Sequence, residues 1–241
     1  MENLKRLLAE GAKAFGLELS AAQLEQFMTY KTLIQDWNRR VNLTAITDGE
    51  EMVKKHFLDS LSLLCGGLPN MSSAKVIDVG TGAGFPGIPL KIAAPGMEIT
   101  LLDSLKKRCA FLELCVHELG LADVEVLDMR AEDGGKNPNY RENFDFCVSR
   151  AVASLDVLSE YCLPFVKTGG YFLSMKGPAV YEEAEKGAKA IEILGGKLEE
   201  IREIDVPFVD GKRYAAVIRK IGKTPEKYPR KAGKAAKSPI K

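Results

Sequence analysis

Residues 76–89 read VIDVGTGAGFPGIP, and this stretch decides the fold. An apolar run that contains Asp78 leads into four glycines between residues 80 and 87, and a proline-punctuated helix start follows. Because glycine carries no side chain, such a turn between a strand and a helix lets the backbone lie close to a flat polar ligand. We therefore expect a strand, a glycine-rich turn and a helix that hold a nucleoside-containing cofactor.

Short β-rich runs alternate with amphipathic helices after residue 75, which predicts an α/β fold with a parallel sheet covered on both faces. The predicted strands are 75–79, 98–103, 123–128, 144–149 and 170–175, and the predicted helices are 87–94, 105–119, 154–166 and 179–194. The alternation of strands and helices ends in a different pattern. An Asp-Gly turn lies between residues 197–205 and 213–220, which predicts an antiparallel hairpin.

The sheet region, 71–221, is preceded by a helical extension at 1–70 and followed by a basic tail at 222–241. Ser20 with Gln23, and Thr47 with Glu50, predict helix N-termini of the capping-box type.

The formal net charge of +1 conceals a charge asymmetry. Residues 223–241 hold seven basic residues and one acidic residue, so they carry +6 and the rest of the chain carries −5. This tail indicates either contact with a polyanion such as RNA or DNA, or a solvated, disordered segment that only aids solubility. We see no signal peptide, no membrane span and no CxxC pair among the five cysteines, and we expect a cytoplasmic protein with reduced thiols and without a metal.

Two cofactors fit the glycine-rich turn. Residues 82–87 satisfy the dinucleotide pattern GxGxxG, and Asp103 lies where a ribose-binding acid is expected. A nicotinamide enzyme is disfavoured because the sheet ends in a hairpin rather than a second βαβ half, and because Pro86 lacks the N–H that a pyrophosphate would use.

S-adenosylmethionine, which contains no phosphate, fits better. Its methionine end would lie on the backbone of the glycines, with Asp78 near the ammonium group and Asp103 on the ribose. The loop after the third strand would meet the adenine, and Arg150 at the end of the fourth strand would face the reaction centre. The cofactor residues predicted in this way are Asp78, Gly80, Gly82, Gly84, Asp103, Ala131, Glu132 and Arg150.

The motif at 78–89 resembles the signature of the bacterial 16S ribosomal RNA guanine-7-methyltransferases, also called glucose-inhibited division protein B. The resemblance extends over nearly the whole chain: Trp37-Asn38, 41–44, His56-Phe57-Leu58-Asp59-Ser60, Ser149-Arg150-Ala151 and 228–233. It implies a class I S-adenosylmethionine-dependent methyltransferase with a Rossmann-like seven-stranded sheet whose last strand is antiparallel. It also implies cofactor contacts at Gly80, Phe85, Ala131, Glu132 and Arg150. Lys231 stands where a second arginine is frequent in the family, which preserves the charge.

The absence of two motifs also favours guanine N7 as the methyl acceptor. The chain lacks the Asn/Asp-Pro-Pro-aromatic loop that is usual for exocyclic amines, and no cysteine follows a proline, as is common when a pyrimidine carbon is methylated. Guanine N7 needs neither, because it has an in-plane lone pair and no proton. We expect Arg150 to orient the reactants without a general base, and Arg150→Ala to abolish transfer with little change in stability.

The expected partner is 16S RNA of the small ribosomal subunit, bound by a monomer. The predicted RNA contacts are Lys107, Arg108, Arg130, Lys176, Arg213, Arg230 and Lys231. His56 is expected to bond to Asp59 or Asn42, within a helix. Two alternatives remain open, a methyltransferase for another RNA and a non-catalytic regulatory protein that binds the cofactor.

Overall fold

The computed structural model describes residues 1–65 and 67–241, and a seven-stranded sheet lies at its centre. The strands are β1 (Lys75–Val79), β2 (Glu98–Asp103), β3 (Val124–Asp128), β4 (Phe144–Arg150), β5 (Val166–Lys176), β6 (Gly196–Ile204) and β7 (Arg213–Lys220). Their order is β3-β2-β1-β4-β5-β7-β6, and β7 runs antiparallel to both of its neighbours. The predicted sheet and its closing hairpin are confirmed. β5 begins four residues earlier than predicted, because Val166 already pairs with Phe144 beyond an irregularity in register.

The strand order reverses between β1 and β4, which lie side by side with Asp78 opposite Val148. The chain leaves β1 toward β2 on one side and leaves β4 toward β5 on the other. A crevice forms outside the carboxyl ends of parallel strands at such a point, and ligands bind there. The glycine-rich turn after β1 and Arg150 at the end of β4 both lie at this crevice.

Helices cover both faces of the sheet. They are α1 (Glu2–Ala14), α2 (Ala21–Asn38), α3 (Gly49–Met52), α4 (Asp59–Leu61), α5 (Gly87–Ala93), α6 (Lys106–Glu118), α7 (Ala131–Gly134), α8 (Leu155–Cys162), α9 (Val180–Ile193) and α10 (Lys234–Lys237). One buried apolar cluster joins the amino-terminal helices to the sheet, with Leu8, Phe27 and Leu101 among its members. A second cluster on the opposite face includes Leu158 and Ile191. The amino-terminal extension thus shares a core with the sheet.

The predicted capping box of α2 is confirmed, since Ser20 and Gln23 exchange side-chain and backbone hydrogen bonds. The second prediction is wrong by one residue. Asp48 rather than Thr47 begins α3, because its carboxylate accepts hydrogen bonds from the backbone N–H groups of Glu50 and Glu51. From α3 the chain continues through a π-helical turn, Val53–Leu58, into α4 and a 3-10 turn, Ser62–Leu64.

The basic tail packs against the body of the protein. Tyr228 and Ile240 are buried in the second apolar cluster, and Arg141 donates hydrogen bonds to the carbonyl groups of Thr224 and Tyr228. Arg230 forms an ion pair with Glu160 of α8, whose side chain is only 1% exposed. The tail therefore packs as part of the fold. Across residues 1–65 and 67–241, none of the helices is long and apolar enough to cross a membrane.

Candidate functional site

The turn after β1 is held closed by the carboxylate of Asp78. Asp78 Oδ2 accepts hydrogen bonds from Thr81 Oγ1 at 2.7 Å and from the N–H of Gly87 at 2.8 Å, which ties the start of α5 back to β1. Asp78 is fully buried, and burial raises its pKa to about 7. Its other oxygen, Oδ1, is buried without a hydrogen-bond partner in the described chain. Asp78 therefore lies beneath the turn and stabilises its conformation.

Gly80 forms the surface of the turn and lines a cavity of about 630 Å³. Its φ of +73° lies in the left-handed region, which disfavours any residue with a Cβ atom. A Cβ atom there would also lie 2.6 Å from Val152 Cγ2, on the opposite wall of the cavity. Only glycine leaves this space open, which fits a ligand that lies against the backbone.

Asp103 ends β2 on the wall of the same cavity and is 4% exposed. Its Oδ2 accepts from the N–H of Gly82 at 3.0 Å and lies 3.4 Å from Arg108 Nη1, while its Oδ1 accepts from the N–H of Leu105 at 2.9 Å. An ionised carboxylate can accept about four hydrogen bonds, so capacity remains for a ribose hydroxyl.

Glu132 of α7 lies across the cavity from Gly80, beside Ala131. Its Oε1 accepts a hydrogen bond of 2.8 Å from the backbone N–H of Gly233, a residue of the tail. Gly233 and Ala236 themselves line the cavity. The tail thus supplies one wall of the pocket, a role that its composition did not predict.

These features fit a nucleoside linked to an amino acid. The wall combines open glycine backbone, carboxylates with remaining acceptor capacity, and apolar side chains such as Leu102, Met129 and Val152. Asp78 is fully buried and does not line this cavity, so its contact with the ammonium group of the methionine end stays a prediction.

Arg150 lies just outside this cavity, in a tightly packed group. Its guanidinium group stacks over the ring of Phe85 at 4.9 Å, donates to Asp59 Oδ2 at 2.7 Å and donates to His56 Nδ1 at 3.1 Å. Phe85 is 6% exposed and packs beneath Arg150 and against Tyr30. The ring of Phe85 therefore has a packing role beneath Arg150, and its contact with the cofactor stays a prediction.

His56 makes different contacts from those predicted. It bonds to Thr44 Oγ1 through Nε2 at 2.7 Å and to Arg150 through Nδ1, not to Asp59 or Asn42. Nδ1 also lies 3.1 Å from the carbonyl oxygen of Lys55; because arginine can only donate, a hydrogen bond from Arg150 requires Nδ1 to accept and the ring to be neutral, with its proton on Nε2. Burial, and then the positive charge of Arg150, lower the pKa of His56 to about 3. A neutral His56 keeps a second positive charge away from Arg150.

The predicted RNA-binding cations fall into two groups. Lys107, Arg130 and Lys231 are exposed. The other four already form ion pairs within the protein: Arg108 with Asp103, Lys176 with Glu183, Arg213 with Asp59, and Arg230 with Glu160. Arg230 binds Glu160 through its backbone N–H, Nε and Nη2. It therefore anchors the tail, and its contact with an RNA phosphate stays a prediction.

Three residues at the site escaped the sequence analysis, namely Glu160, Gly233 and Ala236. Glu160 lies on a helix, where an isolated acid is ordinarily a solvated residue, and nothing near it in sequence marks its partner. Within the described residues, His, Cys, Asp and Glu side chains form no group of three that could hold a metal ion. The five cysteines are free thiols, and all but Cys65 are buried.

Comparison with known proteins identifies close relatives. The sequence profile of a family described as "rRNA small subunit methyltransferase G" matches residues 23–208. A protein named ribosomal RNA small subunit methyltransferase G from Alkaliphilus oremlandii is 52% identical over 238 residues, which cover 99% of each chain. A protein of the same name from Acetivibrio thermocellus is 52% identical over 237 residues, covering 98% of this chain and 97% of its own.

Solved structures support the fold alone. A ribosomal protein L11 methylase from Lactobacillus delbrueckii subsp. bulgaricus matches with a TM-score of 0.51 at 16% identity, over 73% of this chain and 81% of its own. A fibrillarin pre-rRNA processing protein from Methanococcus jannaschii matches with a TM-score of 0.51 at 17% identity, over 67% and 74%. The expected class I methyltransferase fold is confirmed.

Proposed function

Since the chain belongs to the rRNA small subunit methyltransferase G family, we propose that it transfers a methyl group from S-adenosylmethionine to N7 of a guanine in 16S ribosomal RNA. One observation carries the proposal. The cavity suited to the cofactor adjoins a second cavity of about 590 Å³, and Ala151 and Val152 belong to the walls of both. Two ligands bound side by side, with little between them, are what direct group transfer requires.

Four parts of the protein would bind the cofactor: the backbone at Gly80, Asp103, the pair Ala131 and Glu132, and the tail. The backbone at Gly80 provides a surface for the methionine end, and Asp103 accepts from the ribose hydroxyls. Ala131 and Glu132 border the adenine, with the tail behind them. When bound, S-adenosylmethionine supplies an electrophilic methyl group on its sulfonium sulfur.

The acceptor needs no general base. Guanine N7 has a lone pair and carries no proton, so the protein's task is to align it and exclude water. Arg150 is suited to orient the acceptor from the second cavity, since its guanidinium group is fixed on Phe85. His56 is neutral and donates to Thr44, so it contributes to this alignment and not to proton transfer.

RNA backbone contacts belong to the cations that remain exposed. Lys107, Arg130 and Lys231 can meet phosphates without breaking an ion pair to a described residue. Lys176 and Arg213 line the second cavity and would act closer to the target nucleotide. A ribosomal RNA substrate implies action in the cytoplasm, and we expect the protein to work there as a monomer.

The direct test is methyl transfer from tritiated S-adenosylmethionine to undermodified small-subunit RNA. We expect label in that RNA, released as 7-methylguanosine after nuclease digestion, and none in large-subunit RNA or free guanosine. Label at another atom, or in large-subunit RNA, would contradict the proposed acceptor. Cofactor binding without transfer to RNA, either naked or in assembled subunits, would favour a non-catalytic regulatory protein.

A further inference from the structure

The second cavity lies over the half of the sheet that the cofactor cavity does not use. Its walls come from the carboxyl ends of β4 and β5, the start of β7, and the segment that contains the π-helical turn and α4. Arg150, Lys176 and Arg213 give it a cationic rim, and Asp59 lies among them. A nucleotide in this cavity would have its phosphates near these cations.

Asp59 carries an unsatisfied oxygen. Its side chain is 8% exposed, and its Oδ2 accepts a hydrogen bond of 2.7 Å from Arg150 Nη1. Arg213 Nε lies 3.4 Å from Oδ1, but Oδ1 accepts no hydrogen bond from residues 1–65 or 67–241. A buried carboxylate oxygen without a hydrogen-bond donor costs free energy, and Asp59 belongs to the wall of this cavity. The free oxygen is suited to a donor on the ligand.

We propose that Asp59 is the residue that selects guanine, by accepting hydrogen bonds from its N1–H and 2-amino group. The proposal rests on the function proposed above and assigns the base recognition within it. Of the four bases, only guanine presents two adjacent donors on its Watson–Crick edge, which match the two oxygens of a carboxylate. Adenine presents an acceptor at N1, which a carboxylate repels. The guanidinium groups of Arg150 and Arg213, beside Asp59, can donate to guanine O6.

The same contact orients the reacting atom. In guanine the 2-amino group and N7 lie on opposite sides of the purine. A guanine whose Watson–Crick edge meets Asp59 would present N7 on its far side, and Ala151 and Val152, which belong to the walls of both cavities, mark where the methyl group would pass. Enzymes that act on an extruded base commonly read its Watson–Crick edge while the reacting atom faces the catalytic centre.

Inosine provides the test, because it lacks only the 2-amino group and keeps N1–H, O6 and N7. The modified nucleotide is first located by mass spectrometry, and small-subunit RNA is then ligated with guanosine or inosine at that position. We expect the wild-type protein to methylate the guanosine RNA with a kcat/KM about 10- to 100-fold higher, as one lost hydrogen bond to a charged group implies. Asp59→Asn should reduce this ratio to about 3-fold or less, since a neutral amide oxygen accepts more weakly.

Glu183→Gln is the matched control, because Glu183 is the other carboxylate on the wall and pairs with Lys176. It should keep the wild-type ratio of guanosine to inosine. Equal wild-type rates on both RNAs would overturn the proposal, and this measurement needs no variant. So would an Asp59→Asn protein whose two rates fall together with the ratio intact, since Asp59 would then serve only to hold Arg150. In both cases transfer to guanosine RNA would leave the proposed function standing, whereas no wild-type transfer at all would refute both.

Discussion

Removing the charge of Arg230 should release the tail and weaken cofactor binding. The carboxylate of Glu160 is almost fully buried, and its contacts come from the Arg230 backbone N–H at 2.7 Å, Nε at 2.9 and 3.0 Å, and Nη2 at 2.5 Å. In Arg230→Met only the backbone donor remains. Loss of one partner of a buried ion pair costs about 3–5 kcal/mol. Arg230 itself is 24% exposed, so we take the lower figure of about 3 kcal/mol.

The chain can relieve this cost by undocking the tail rather than by unfolding the sheet. About 3 kcal/mol corresponds to an increase of roughly 100-fold in the undocked-to-docked ratio. Undocking removes Gly233 and Ala236 from the cofactor cavity and deprives Glu132 of its hydrogen bond. We therefore expect the dissociation constant of S-adenosylhomocysteine, measured by calorimetry, to rise in inverse proportion to the fraction of molecules whose tail is docked, by at most about 100-fold.

Limited trypsin digestion should report the undocking directly, through faster cleavage after Lys231 and Lys234. Lys237→Met is the control, because Lys237 is exposed and lies in the same segment. The double variant Glu160→Met with Arg230→Met should regain most of the affinity, since two apolar residues replace the ion pair. An Arg230→Met protein with unchanged tail protection and unchanged cofactor affinity would refute the reasoning.

Three further predictions concern the crevice. Arg150→Ala should abolish methyl transfer. Contrary to the sequence-based expectation, it should also lower the free energy of unfolding by about 1–3 kcal/mol in urea titrations, because it leaves the buried carboxylate of Asp59 without its main partner. Arg150→Lys should restore part of the stability but little activity. Gly80→Ala should eliminate cofactor binding measured by calorimetry, whereas Gly120→Ala, where φ is +60° and the space is open, should only cost about 1–2 kcal/mol of stability. His56, whose pKa falls to about 3 on folding, should contribute a loss of stability as pH drops below 6.5, because the unfolded chain binds a proton that the folded chain rejects. Buried Asp78, whose pKa is raised to about 7, contributes a slope of the opposite sign, so the His56 contribution is read from the difference between the wild type and His56→Gln in denaturation series. A change at the exposed His117 should leave the wild-type pH dependence unaltered.

The sheet could be predicted because its signals are local. Apolar runs of strand length, the glycines after Val79 and the Asp-Gly turn each report on their own neighbourhood, and parallel topology then brings the carboxyl ends of the strands together. This is why Gly80, Asp103 and Glu132, which are distant in sequence, could be assigned to one cavity from the sequence alone.

Partners across the fold could not be predicted in the same way. Asp59 and Arg150 are 91 residues apart, and neither position carries a sequence signal for the other. Tyr228 and Ile240 have no periodicity that would indicate a buried segment, so composition alone made the tail resemble solvated chain. Ion pairs between residues that are distant in sequence also decide which lysines and arginines remain free to bind RNA. The sequence shows the charges but not these ion pairs.

The anchoring of residues 228–240 on the cofactor cavity has a genetic consequence. A premature stop codon or a proteolytic cut between 222 and 230 would spare every strand of the sheet, yet it would take away the wall that Gly233 and Ala236 form. Such a product should accumulate, with near-normal circular dichroism, while having lost its affinity for the methyl donor. Truncating alleles between codons 222 and 230 are therefore expected to lose function even though they leave the sheet intact.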